Sequence, residues 1–444
     1  MRKQSALVRV RFQNFSSRVN RMSICRITLR VFCAMFMLST PLAAQETSRS
    51  LTLSQALQRA LAANPRLTAA EREIGIATGR RIQAGAIPNP ELSAEVENFA
   101  GSGDYRGTRS AETTLQLSQL VELGGKREAR QLAGTAEYDS AAWQRKAVRL
   151  EILSETATAF VTVLGAQRRA QILERQVSAL DRLTPLLQRR VDAGASSSAE
   201  VLRGQLAANL VRVEHQRAKT ALATARRELA ILMGDGTPGF GVLSGRFAEI
   251  GRPPAFSHVL AAIDANPQLM RWTAVRAQRD AELLTARLKP IPDVKVGVGW
   301  RHFKESGANA MTLGLSMSLP LWDQNQGDVL AARESLEKVK ADRAINKATL
   351  ISVAGRSYDA LNGAIEEIAL LRKSILPDAR KASDAIEEGY AQGRFTLLEL
   401  LDVQSTISES ALREQEALQR YHTAITTIEG LVGNPLTLAQ EKTR

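Results

Sequence analysis

The sequence carries a copy of itself. Asn64-Pro65 opens a helical stretch, and Asn266-Pro267 opens a similar one 202 residues later. Leu232-Met-Gly-Asp235 closes a helical stretch, and Leu431-Val-Gly-Asn434 closes its counterpart 199 residues later. Each half then reads in one order: a helix, two short alternating strands, a very long helix, a glycine-marked turn and another helix. A duplication of this length makes each half one structural unit, and every element must be explained twice. The halves divide as 45–254 and 255–444, behind a leader at 1–44.

The strands limit the fold most. In 91–99, Leu92, Ala94 and Val96 share one face, and Glu91, Ser93, Glu95 and Glu97 share the other. In 111–119, Ala111, Thr113, Leu115 and Leu117 oppose Glu112, Thr114, Gln116 and Ser118. In 293–301, Val294, Val296, Val298 and Trp300 oppose Asp293, Lys295, Gly297, Gly299 and Arg301. In 311–319, Met311, Leu313, Leu315, Met317 and Leu319 oppose Thr312, Gly314, Ser316 and Ser318. Period-two alternation gives each strand one apolar and one polar face. Nine or so residues suffice to cross a bilayer when tilted. Aromatics gather near the loop side (Phe99, Tyr105, Trp300, Phe303), with Trp322 at the opposite end, as at lipid–water boundaries. Four strands cannot close a barrel, so several chains are expected to share one.

Charge and cysteine content agree. The net charge is +13, but residues 1–44 hold eight Arg or Lys and no acid, which leaves +5 (13 − 8) downstream. The remaining Arg residues lie among Glu on helix faces, a solvated pattern that gives no nucleic-acid footprint. Basic residues ending at Arg30, the apolar run Val31–Leu38 and Pro41-Leu-Ala-Ala44 read as a secretory signal cleaved after Ala44. Both cysteines, Cys25 and Cys33, lie in it, so the mature chain is expected to have no disulfide and no thiolate metal site. No other apolar run nears the length of a membrane helix, so a membrane location requires strands.

From about Lys126 to Val191, and again from about Gly327 to Tyr390, the sequence is helical with one late proline each, Pro185 and Pro377. Leu150, Leu153, Ala157, Phe160 and Leu164 step 3-4-3-4, a coiled-coil seam. Both long helices end in matched turns. Val191-Asp-Ala-Gly194 precedes Ser197-x-x-Glu200, and Tyr390-Ala-Gln-Gly393 precedes Thr396-x-x-Glu399. Glycine supplies a left-handed C-terminal residue, and Ser or Thr with Glu three later predicts a capping box.

No catalytic or cofactor constellation emerges. Leu123-Gly-Gly-Lys-Arg127 lacks the first glycine of a phosphate loop, since position 120 is Leu, and no Ser or Thr follows Lys126. It reads as a strand-to-helix turn matched by Asp323–Gly327. His215, His258, His302 and His422 are isolated and read as surface residues, so no metal site is expected. No catalytic residue is expected.

Taken in order, these motifs resemble the TolC family of outer-membrane efflux ducts across 51–434. Leu51-Thr-Leu-Ser-Gln-Ala-Leu57 with Asn64-Pro65 is similar to the family's opening, and Tyr390-x-x-Gly393 to Asp402 is similar to its second tip hairpin. Gln119–Arg127 and Leu319–Gly327 are most similar to the CzcC-like branch, associated with heavy-metal resistance. The resemblance implies a mainly α fold with transmembrane β. Three chains would supply four strands each to a twelve-stranded outer-membrane barrel, continued by a long periplasmic coiled-coil barrel. It implies a homotrimer in outer-membrane lipid, a periplasmic membrane-fusion adaptor and an inner-membrane pump of the proton-driven RND type. It also implies a periplasmic gate at Tyr390, Glu399, Asp402 and Glu200. The turns at Gly194, Gly393, Arg394, Ser197 and Thr396 would contact the adaptor. The chain departs from the family where a base often follows the glycine by two: here Phe395 stands there, and the base is Arg394. Divalent heavy-metal efflux is the leading reading. Drug efflux or type I protein secretion is the alternative within the class, and a periplasmic coiled-coil scaffold is the alternative outside it.

Overall fold

A computed structural model describes residues 50–433. The expected leader, with Cys25 and Cys33, lies outside them, as does Asn434. The first half runs α1 (Leu53–Ala63), α2 (Pro65–Ala84), β1 (Glu91–Glu97), β2 (Glu112–Val121), α3 (Lys126–Asp192) and α4 (Ser198–Leu232). The second runs α5 (Phe256–Ile263), α6 (Pro267–Leu288), β3 (Val294–Phe303), β4 (Asn309–Met317), α7 (Gln326–Leu370), α8 (Leu376–Ala391) and α9 (Leu397–Val432). The order repeats as expected.

The two sequence marks of the repeat touch each other. Asn64 caps α2 by accepting from Arg66 N at 3.0 Å, and its Nδ2 donates to Leu232 O at 3.0 Å. Asn266 accepts from Gln268 N at 2.8 Å, and its Nδ2 donates to Leu431 O at 2.8 Å. One amide side chain thus satisfies an orphan donor at one helix start and an orphan acceptor at another helix end. The proline that follows has no N–H to lose at the first helical position. Equivalent cores form around these joints. Leu53, Leu57, Phe160, Leu164, Leu229 and Met233 are buried together in the first half. Val259, Ile263, Leu269, Leu361, Ile368 and Ile428 are buried together in the second. Phe160 and Leu164 of the predicted seam therefore pack against α1 and α4 as well.

All four strands lie in one antiparallel sheet in the order β1-β2-β3-β4. The strand ends move by one or two residues from the alternation pattern, for local reasons. β1 stops at Glu97 because Asn98 turns to φ 55°. β3 starts after Pro292, and β4 stops short of Pro320, since proline donates no ladder bond. The faces hold: Leu92, Leu117, Val298 and Leu313 form one register row on the apolar side. Met311, Leu313 and Leu315 are 78%, 80% and 75% exposed, so this face has no cover within the chain.

α3 is one helix of 67 residues, about 100 Å long. Its counterpart is interrupted. Between α7 and α8, residues Leu371–Ile375 form a π turn. The buried positions explain it. Leu361, Ala364, Ile368 and Leu371 step 3-4-3; then Leu376 follows after five; then Ala379 and Ser383 follow after three and four. One surplus residue is absorbed as a wider turn.

His422 corrects the surface reading. It is 2% exposed, its Nε2 donates to Phe247 O at 2.8 Å, and its ring stacks on Phe247. Burial holds its pKa below the usual histidine value, outweighing the carbonyl contact that favours the cation. The segment between α4 and α5 is fastened at neighbouring points. Gly251 N donates to Tyr421 Oη at 2.7 Å, Arg372 Nη2 donates to Ala248 O at 2.8 Å, and Leu243 N donates to Gln167 Oε1 at 2.9 Å.

Candidate functional site

The end of the molecule far from the sheet is built from two helical hairpins. Gly194 has φ 69° and Gly393 has φ 75°, the left-handed conformation that side chains resist. Ala195 N donates to Arg190 O at 2.8 Å and Gly194 N to Val191 O at 2.9 Å. Arg394 N donates to Gly389 O at 2.8 Å and Gly393 N to Tyr390 O at 3.0 Å. Each pair is a Schellman closure that satisfies the last helical carbonyls. Both predicted turns are present.

The capping differs between the hairpins. Thr396 and Glu399 form the predicted box: Thr396 N donates to Glu399 Oε2 at 2.7 Å, and Glu399 N donates to Thr396 Oγ1 at 3.3 Å. Ser197 caps α4 only by accepting from Ala199 N at 3.2 Å. Glu200 does not return to it, so the first predicted box is not formed. The Glu200 carboxylate instead accepts from Tyr390 Oη at 3.3 Å. These choices divide the acids. Glu399 is occupied at its own helix start, where the Thr396 N–H and hydroxyl hold its carboxyl below the usual range. Glu200 crosses from one hairpin to the other.

Tyr390 is the centre of the tip. It is 1% exposed and packs with Leu183, Leu187, Val201, Leu397 and Leu400. Burial, and then the Glu200 charge, raise its phenol above the usual value, so it remains a neutral donor. Arg190 works in the opposite direction on the same ring. Its guanidinium lies 4.7 Å from the ring centroid, and its Nη1 donates to Tyr390 O at 2.8 Å. Sequence reading missed Arg190. Position 389 is its repeat partner and is glycine, so the internal copy gave no signal. The only hint was the Arg189-Arg190 pair just before the turn. Phe395 fills the space over that glycine: a Cβ at Gly389 would lie 2.3 Å from Phe395 Cδ2. Arg394 and Asp402 expose their side chains, and the structure does not bring them to Tyr390.

The polar face of the sheet is largely neutralised. Arg301 bonds Thr114 Oγ1 at 2.9 Å and pairs with Glu112 and Glu97, each at 3.1 Å, spanning three strands. Lys295 pairs with Glu91. Asp293 is not a member of this face. It accepts from Leu123 N at 3.1 Å and Lys126 Nζ at 2.9 Å, closing the strand-to-helix turn. Among the described residues no group of three His, Cys, Asp or Glu could hold a metal ion.

This geometry has relatives. The family model "Outer membrane efflux protein" matches residues 56–235 and 260–434. The cobalt-zinc-cadmium resistance protein CzcC of Cupriavidus metallidurans is 28% identical over 88% of this chain and 92% of its own. The nickel and cobalt resistance protein CnrC of the same organism is 25% identical over 75% of this chain and 77% of its own. The solved structure of CusC superposes with a TM-score of 0.74 at 15% identity, over 87% of this chain and 93% of that one.

Proposed function

We propose a trimeric metal-export duct, from the premise that the chain belongs to the outer membrane efflux protein family. Membership makes it a non-enzymatic TolC-type channel of the outer membrane with a periplasmic helical extension. That removes the scaffold reading. One observation carries the shared barrel. The sheet has an apolar face exposed row upon row and two unpaired edges, β1 and β4. Bilayer tolerates no open sheet edge, so β4 must meet the β1 of another copy. The family's trimers set the number of copies at three, which gives twelve strands in a closed ring.

In this reading the duplicated units, 45–254 and 255–444, alternate six times around one tunnel. The tip is its periplasmic gate. Threefold symmetry repeats Glu200, Glu399 and Asp402 as rings of like charge. The Tyr390–Glu200 bond and the Arg190 contacts hold the hairpins against that repulsion. A periplasmic adaptor docks on the turns around Gly194, Ser197, Gly393, Arg394 and Thr396 and links the duct to an inner-membrane RND pump. No cofactor takes part. The barrel face, with Lys295 and Arg301 engaging Glu91, Glu97 and Glu112, lets ions pass without a deep binding well.

Divalent heavy-metal cations are the proposed cargo, supported by the metal-resistance relatives. Deleting the gene should sensitise the host to Co²⁺, Zn²⁺ or Cd²⁺, and the intact gene should restore resistance. The purified chain should bind none of these ions tightly. Sensitivity confined to organic drugs would transfer the assignment to drug efflux.

A further inference from the structure

The foot of the sheet contains one finished joint and one unfinished joint of the same design. The finished joint lies inside the chain. Ile291-Pro292-Asp293, just before β3, seats against the turn that follows β2. A Cβ at Gly124 would lie 3.2 Å from Ile291 Cβ and 2.4 Å from its Cδ1. Asp293 accepts from Leu123 N at 3.1 Å and from Lys126 Nζ at 2.9 Å. Gly125 caps α3 at φ 74°.

The same parts recur one half away. Ile87-Pro88-Asn89, just before β1, repeats Ile291-Pro292-Asp293 at an offset of 204. The turn after β4 is longer than the turn after β2, 318–325 against 122–125, but it ends in the same way: Asn325 caps α7 at φ 58°, and Gln326 begins α7 as Lys126 begins α3. Within the chain these two sets do not meet. Ile87 is 62% exposed and Asn89 is exposed. Beside the second turn lies a cleft of about 590 Å³, between Ile291, the foot of β4 at Met317–Pro320, and Asn325. Its walls mix Leu120, Ile291 and Leu319 with Lys126, Lys289 and Asp323, and they include Ser316–Pro320 at the foot of the edge strand β4.

We propose that this cleft receives Ile87-Pro88-Asn89 of a second copy of the chain, so that the internal joint is the template for the joint between protomers. The inference rests on the trimeric reading and names its contact. Antiparallel pairing of β4 with the next copy's β1 brings that copy's Pro88–Glu91 to the β4 foot. The chain supplies a plug at one edge and a socket at the other, which closes a ring head to tail. An exposed isoleucine between Ala86 and Pro88, and the apolar part of the cleft at Ile291, Met317 and Leu319, each lose water-facing surface in that contact.

The test uses the full chain, whose only cysteines lie upstream of Ala44. Gln324 is the repeat counterpart of Gly124, where a Cβ would lie 3.2 Å from Ile291 Cβ, just under the roughly 3.5–4.5 Å that a disulfide spans. Ile87→Cys with Gln324→Cys should yield a three-chain covalent product on oxidation or with a short bismaleimide, reversed by reductant in the first case. Neither single variant should do so. As a second variant set, Asn89→Asp with Gln326→Lys rebuilds the Asp293–Lys126 pair across copies. It should lengthen the trimer's dissociation half-time in detergent by roughly fivefold over either single change. A trimer by native mass measurement that neither cross-links nor gains lifetime overturns the joint and leaves the trimeric reading standing. Single chains only would overturn both.

Discussion

Leu313→Arg places a charge on the apolar face where it costs most. Leu313 is the fifth of nine residues in β4, so four residues at ~3.4 Å each lie on either side. At a strand tilt near 40° that is about 10 Å of depth in each direction, close to the middle of an apolar band ~25 Å tall. Arginine there costs about 2–4 kcal/mol. In the proposed trimer, three copies raise the total to roughly 6–12 kcal/mol, comparable with the whole stability of many folds. The control sits at the same height on the other face. Ser93 pairs with Gln116, which pairs with Gly299, which pairs with Thr312, the row next to Leu92–Leu117–Val298–Leu313. Ser93→Arg faces water in a closed barrel and should assemble. Gly297 is a poorer control, because a Cβ there would lie 2.3 Å from Gln116 Nε2. The assay is outer-membrane fractionation with heat-modifiable migration on gels. Equal assembly of the two variants would refute the lipid-facing assignment.

Tyr390→Phe removes one bond to Glu200, about 1 kcal/mol per copy, and should raise conductance in planar bilayers; Arg190→Ala should raise it further, and unchanged traces would count against a gate. Gly393→Val forces a β-branched residue to φ 75°, at roughly 1–2 kcal/mol or more, and should weaken adaptor cross-linking while the barrel remains inserted. The Glu399 carboxyl is held below its ordinary value of 4.5. Its contribution is therefore fully present above that pH and is lost as pH falls through the lowered value. Glu399→Gln should flatten the acid limb of thermal unfolding below pH 4.5, and an unaltered limb would mean the box contributes nothing. The Tyr390 phenol is raised instead, so conductance should show no tyrosine titration below pH 10.

The repeat, the strand faces and both glycine turns were legible because each is a local pattern with a fixed period or a fixed dihedral. Asn64 and Asn266 announced the duplication, and they proved to be the bonds that join its ends. What escaped reading was tertiary. Ser197 and Glu200 have the spacing of a capping box, yet the phenol of Tyr390 competes for the same carboxylate and wins. Asp293 alternates correctly for the polar face, but it precedes β3 and is drawn to Leu123 N and Lys126. His422 has no sequence partner because its partners are a backbone carbonyl and an aromatic ring on a distant segment. Arg190 had no repeat counterpart to mark it.

The π turn at Leu371–Ile375 changes what a length change does to this rod. In an unbroken helix, losing one residue turns everything beyond it by about 100° and withdraws it by ~1.5 Å. Here the seam already runs 3-4-3, then five, then three and four, so the rod carries a spare residue at a known place. Dropping it would restore the step from Leu371 to Leu376 to an ordinary four, with both flanking seams still in phase. The second half thus has a slot where one residue can be lost without turning Tyr390 away from Glu200. The unbroken α3 offers no such slot, and a one-residue indel in its middle would misalign every buried position up to Leu187.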